Sequence, residues 1–213
     1  MDVLSEIINS SGLKGYMITR DTFFRNWGYK FPCNQSFGFH IITRGNCYIR
    51  YKKKIEKLEK GDIVFISRGF DHELVSSTNQ KALDIKSLPE EYFKPGKEKE
   101  EPIVTLLSIR YEIQEMIHPF FFELPDIIIV KENNIPSHHP IHSALVLISN
   151  EMAIGENSEL VLQKLADVLL YYILKFWVDR EETGAPGWIK TFKDEKILYA
   201  LDILHKDLSK DWT

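Results

Sequence analysis

Two hydrophobic rhythms divide the chain near residue 136. Before that point, short apolar runs are separated by turn residues. After it, apolar positions recur three and four apart. Residues 2–9 read as a short helix stopped by Ser10-Ser11-Gly12. Runs rich in Phe, Tyr, Ile and Val at 15–20, 22–31, 37–44, 46–51, 55–58, 62–66 and 72–76 read as strands, punctuated by Gly28, Gly45, the lysines at 52–54 and Lys60-Gly61-Asp62. Residues 77–101, with Pro89, Pro95, Gly96 and the charged run 97–101, read as a long exposed loop with at most one helical turn, and strands resume at 103–112 and 126–130. Many short strands at this spacing predict a sandwich or barrel. Ile141, Leu145, Ile148 and Met152 form one helical stripe. Leu162, Leu165, Leu169, Tyr172 and Phe176 form a second, with Asn157 or Ser158 as its cap. Gly184-Ala185-Pro186-Gly187 breaks the chain, and a further helix is predicted over 194–207.

Composition narrows the class. The 213 residues are 44% hydrophobic and 27% charged, with a net charge of −4. That is a globular chain without the cationic excess that drives non-specific nucleic-acid binding. Two cysteines exclude a disulfide scaffold, and acids stand where a signal peptide would have bases. The longest apolar stretch of the C-terminal half, Val168 to Leu174, falls far short of the roughly 20 residues that cross a bilayer. The expectation is a soluble cytoplasmic protein with no membrane partner.

Candidate chemistry is sparse. No phosphate loop, nucleophile elbow or dinucleotide fingerprint is present. His138 and His142 are four apart, but Pro140 lies between them and no Glu follows His138, so they read as polar residues at a helix start. Cys47 reads as a small buried hydrophobe and Cys33 as a turn residue, with no spacing that pairs them for redox chemistry.

The most informative stretch runs from Gly61 to His72. Its Gly61, Gly69 and His72 fit the second motif of the cupin superfamily, with Ser67 in place of the proline, and Gly45 fits the glycine that ends the first motif. The first motif should also supply two His and a Glu. Gly38 stands at the Glu position and Pro32-Cys33-Asn34 near the His pair, so no metal and no cofactor is expected. His40 beside His72 gives only two imidazoles.

Further features fall in order: Trp27-Gly28, Phe31-Pro32, Phe39-His40, Gly45 to Arg50, His118-Pro119-Phe120, Leu124-Pro125, Pro186-Gly187-Trp188 and Trp212-Thr213. Together they resemble the N-terminal sensor half of an AraC/XylS-type transcriptional regulator, with Arg44 departing from a Glu common in that family. The resemblance implies an α+β chain. A cupin-like β-barrel, a double-stranded β-helix, takes residues 1–135. A helical dimerisation region takes 136–183, and a linker with the first helix of a truncated helix-turn-helix DNA-binding domain takes 184–213.

It also implies a homodimer, a small organic effector, and contact with promoter DNA only through a missing half. Strand alternation and aromatic content make Trp27, His40, Cys47, Ile49, Phe65, His72 and Tyr111 the expected pocket. The second helix has a wide apolar face, extended by Val161, Val168, Leu170 and Leu174. That face suits packing on the barrel and first helix, or a dimer interface of Leu162, Leu165, Leu169, Tyr172 and Phe176. The rival readings are a metal-dependent cupin dioxygenase or isomerase, with catalytic residues this sequence does not supply, and a stand-alone binding protein.

Overall fold

The computed structural model describes residues 3–180 apart from Gly12, Pro32, Asn34, Gln35, Arg68, Ile85, Lys86, Leu88, Glu98, Lys99, 114–117, Pro119 and 155–157, together with Lys196 and Tyr199. The helix expected over 194–207 (those two residues aside), Pro186-Gly187-Trp188 and Trp212-Thr213 lie outside the described residues.

Ten strands form two five-stranded sheets. They are β1 (Leu13–Phe23), β2 (Gly28–Phe31), β3 (Ser36–Arg44), β4 (Asn46–Tyr51), β5 (Lys54–Glu59), β6 (Ile63–Ile66), β7 (His72–Val75), β8 (Leu83–Asp84), β9 (Val104–Ile113) and β10 (Ile127–Val130). The first sheet runs β1-β9-β3-β6-β10 and the second β5-β4-β7-β2-β8. The pairs are antiparallel except β2 with β8. This is the barrel of two facing sheets that the spacing of the strands predicts.

Helix α1 (Val3–Ser10) precedes the barrel, and the short α2 (Phe120–Glu123) buries Phe120 and Phe121. The hairpin of α3 (Pro140–Ala153) and α4 (Glu159–Arg180) follows it. Pro140 occupies the first turn of α3, where its missing N–H costs nothing, and His139 Nδ1 caps that turn by accepting from Ile141 N–H. Ser158 Oγ accepts from Val161 N–H at the start of α4. No helix among the described residues is long and apolar enough to cross a membrane.

The first sheet separates two cores because successive side chains of a strand point to opposite faces. Phe23, Trp27, Tyr29, Ile42, Cys47, Ile49, Val64, Leu74 and Leu106 fill the space between the sheets. Phe37, Phe39, Ile41, Phe65, Ile109 and Tyr111 face the other way, onto Ile141, Ile148, Leu162, Leu169, Ile173 and Phe176 of α3 and α4. The α4 stripe read from the sequence therefore lands on the chain's own sheet.

Two expectations change in detail. The runs at 15–20 and 22–31 are divided differently. Asp21 does not end a strand, because it accepts from Thr19 Oγ within β1, and the break falls after Phe23 instead. The loop at 77–101 is also structured in part. Besides the one helical turn expected, at Glu90–Tyr92, it supplies β8 and lays Tyr92 and Phe93 against the inter-sheet core.

One junction ties barrel to hairpin. Asp62, 3% exposed, accepts from the backbone N–H of Glu59 (2.9 Å) and Glu132 (3.0 Å) and from Lys131 Nζ (2.7 Å). Gly61 at φ +90° turns the chain into β6, and a Cβ there would collide with Glu132. From the same turn, the Asn134 carbonyl accepts from Arg180 at the end of α4 (2.8 Å).

Candidate functional site

His40 lies in the middle of β3, opposite Ser108 of β9 and Val64 of β6. His72 opens β7, opposite Phe31 of β2. The two histidines project from facing sheets and meet inside the barrel, with Nε2 atoms 2.8 Å apart. His40 Nδ1 lies 2.9 Å from Ser108 Oγ, and His72 Nδ1 lies 3.2 Å from the Phe70 carbonyl oxygen.

These contacts fix the protons. A carbonyl only accepts, so His72 Nδ1 carries the hydrogen. In a neutral ring its Nε2 then accepts, His40 Nε2 donates, and His40 Nδ1 accepts from the Ser108 hydroxyl. Burial is the main cause that holds both rings neutral. It lowers His72 to about 4 against the opposing pull of the Phe70 carbonyl and Asp71. It drives His40 well below the ordinary imidazole range, helped by His72. Phe31 stacks flat on His72 with centroids 5.0 Å apart.

The motif residues explain this placement. Gly69 lets the β6–β7 connection pass against the backbone of Cys33 and Ser36, where any Cβ would clash. Ser67, at the position where the family motif has proline, donates from Oγ to the Pro125 carbonyl and so pins the end of β6 to β10.

Beside the histidines is a pocket of about 440 Å³, within the range of small-molecule sites. Register arranges its walls in rows on the inner face of the first sheet. Met17, Arg110, Gly38 and Ile66 form one row, and Thr19, Ser108 and His40 the next. Asp21 lies one row further along β1. Lys30, Phe31 and Cys33 line the opposite side. Burial raises Asp21, with the Thr19 bond opposing. Burial also raises the Cys33 thiol, against Arg110 and Ser36.

Of the seven residues expected in the pocket, His40 and His72 line it. Trp27, Cys47 and Ile49 instead belong to the packed core between the sheets, with Trp27 stacked on Phe23 at 4.1 Å and the Cys47 thiol pushed up to about 12 by burial. Phe65 and Tyr111 lie on the opposite face of the first sheet, where the Tyr111 hydroxyl donates to Asp167 of α4 (3.3 Å). Their placement follows strand parity: they are odd-numbered neighbours of inward-facing residues. Thr19, Asp21, Ser108 and Arg110 carry no aromatic or motif signal. Only the strand register brings them together.

The expected interface residues Leu162, Leu169 and Phe176 are buried under the sheet, and Leu165 and Tyr172 pack against the same core. The apolar side chains that α3 and α4 leave exposed are others, including Val146, Leu147, Leu160, Val161 and Val168. Arg44 pairs with the exposed Glu101 at the barrel rim. His139 packs edge-on against Phe176 beside its capping bond. Cys33 and Cys47 are free thiols.

The ligand set of a metal-dependent cupin does not fit these residues. Gly38 occupies the carboxylate position, and the Nε2 atoms of His40 and His72 are spent on each other. The described residues contain no group of three His, Cys, Asp or Glu side chains that could hold a metal ion.

Comparison with known proteins places this geometry. A family model described as Cupin matches residues 2–179. A putative AraC-like transcription regulator of Streptomyces antibioticus is 22% identical over 228 aligned positions, which cover all of this chain and 72% of that protein. One from Streptomyces lividans is 21% identical over 221 positions, covering all of this chain and 71% of its own length. Among solved structures, an apo form of ToxT from Vibrio cholerae superposes with a TM-score of 0.46 at 8% identity, over 94% of this chain and 68% of that one.

Proposed function

We infer from this site, and from the fact that the chain belongs to the cupin family, that it is the effector-sensing part of an AraC-type transcriptional regulator acting in the cytoplasm. The observation that carries the reading is the pocket between the sheets, walled by a neutral, internally satisfied histidine pair instead of a metal set. Similarity along the whole chain to proteins named as AraC-like regulators supports it. The chain is then a binding module rather than an enzyme. Promoter DNA is contacted by a helix-turn-helix half, in the part of those relatives that this chain does not match. The barrel (1–135), hairpin (136–183) and following segment (184–213) serve as sensor, relay and connection.

The physical mechanism is a population shift. An effector that binds one arrangement of barrel and hairpin more tightly than another biases the exit of α4, which Arg180 ties to the barrel junction. A thermal-shift screen of sugars, fatty acids, aromatic acids and amino acids tests the reading. At about 100 times its Kd, a true effector stabilises by about 2.7 kcal/mol, a rise of several degrees. A screen in which no compound shifts the transition, with a purified protein that holds stoichiometric iron, zinc or manganese, overturns the reading in favour of a metalloenzyme.

The same reading includes a homodimer formed through the exposed faces of α3 and α4. Val161 and Val168 lie one heptad apart on α4, and Val146 and Leu147 on α3, and each is left in water by the monomer. Sedimentation of the wild-type chain is expected to give a dimer that the Val161→Asp/Val168→Asp variant turns into a folded monomer. A wild-type monomer at high concentration disposes of this part.

A further inference from the structure

The pocket is polarised, and its polarity specifies the ligand. At one end stand hydrogen-bond donors. Arg110 brings a cation. Ser36 brings a buried hydroxyl with no partner in hydrogen-bond geometry, beside the Cys33 thiol. Ser36, Gly38 and His40 share the inner face of β3, and Gly38 lies opposite Arg110. A Cβ at Gly38 would collide with the Ile109 carbonyl, so the glycine lets β3 and β9 approach closely beside Arg110. One row along, about 7 Å away, the wall offers acceptors. The Ser108 proton is committed to His40 Nδ1 by the chain of bonds that ends on the Phe70 carbonyl. Thr19 donates its proton to Asp21. Only oxygen lone pairs of Ser108, Thr19 and Asp21 remain to face a ligand. Met17 and Ile66 in the Arg110 row, and Phe31 from the second sheet, supply apolar surface.

We propose, resting on the sensing function inferred above, that the effector is an organic anion with a second, hydrogen-bond-donating group across an apolar body. Its acid lies against Arg110 and Ser36, and its hydroxyl or amine donates to Ser108, Thr19 and Asp21. A group that only accepts hydrogen bonds is excluded at the second end, because it meets a wall of lone pairs and loses its water without replacement. Burial already makes the Asp21 charge costly, so a donor there also relieves a strained carboxylate.

Calorimetric titration with four probes tests the proposal: 3-(4-hydroxyphenyl)propanoate, its 4-methoxy ether, unsubstituted 3-phenylpropanoate, and 4-ethylphenol, which lacks the acid. The hydroxylated acid is expected to bind at least about tenfold more tightly than each of the others, the equivalent of one lost hydrogen bond to a buried partner. Thr19→Val is expected to shrink the preference for hydroxyl over methoxy. Arg110→Met is expected to weaken all three acids by a similar factor and to leave 4-ethylphenol unchanged. Equal affinity for the hydroxylated, methoxy and unsubstituted acids overturns the donor rule and leaves the sensing reading intact. Absence of binding by all four probes overturns the ligand class. The sensing function itself fails only if the broad thermal-shift screen is empty as well.

Discussion

Replacing Asp62 with alanine is expected to lower the free energy of unfolding by about 3 kcal/mol. The carboxylate is 3% exposed and is the acceptor for two backbone amides, Glu59 and Glu132, and for Lys131. The half-exposed Lys131 ammonium can turn to water when its partner goes, so the ion pair contributes little of the loss. The cost lies in two amides left without an acceptor, each about 1–3 kcal/mol when buried. Asp62→Asn keeps one acceptor oxygen and is expected to lose less. Urea unfolding followed by circular dichroism reads both. A loss below about 1 kcal/mol in the alanine variant contradicts this account of the junction. Because the turn that Asp62 holds also carries the Asn134 carbonyl bonded to Arg180, hydrogen exchange in the last turn of α4 is expected to rise with the same substitution.

Acidification should destabilise the protein before its carboxylates titrate. The folded His72 titrates near 4 against 6.5 in the open chain, and His40 is lowered as well. Between those two pH values the unfolded state binds more protons than the folded state. Stability is therefore complete above about pH 6.5 and is lost as the pH falls toward 4. For His72 alone the loss is about 3 kcal/mol, and His40 adds to it. Asp21 works in the opposite direction, since its raised carboxyl takes up a proton first in the folded state. Comparison with His40→Gln/His72→Gln removes that background. The double variant is expected to give a flatter profile of urea stability between pH 7 and 4.5. Parallel profiles for the two proteins would falsify the neutral buried pair.

Much of the architecture was legible in the sequence, for physical reasons. The change of period near residue 136 marks where barrel gives way to hairpin. Gly61, Gly69 and His72 are informative because each answers a backbone or side-chain demand: a positive φ against Glu132, a close approach to Cys33 and Ser36, and an imidazole aimed into the barrel. What alternation could not supply was the identity of each face. Phe65 and Tyr111 are as apolar as Ile66 and Leu106, and both faces of the first sheet are covered, so hydrophobicity does not distinguish pocket from helix support. The α4 stripe posed the same ambiguity. A wide apolar face predicts that two surfaces are contacted, and the structure assigns Leu162, Leu169 and Phe176 to the sheet. Arg110, Ser108, Thr19 and Asp21 became a site only through the pairing of β1, β9 and β3, which depends on contacts about 60 to 100 residues apart in the chain.

The two-sided β3 has an evolutionary consequence. Ser36, Gly38 and His40 face the pocket, while Phe37, Phe39 and Ile41 support the helices. Under the sensing function proposed above, substitutions at even positions alter what is recognised, and those at odd positions alter what the hairpin rests on. Ligand choice and signal output are thus written in alternate letters of one strand. A lineage can change its effector at even positions without disturbing how the signal leaves the barrel. An inserted or deleted residue in β3 exchanges the two alphabets at once, so length is the property of this strand that selection must hold fixed.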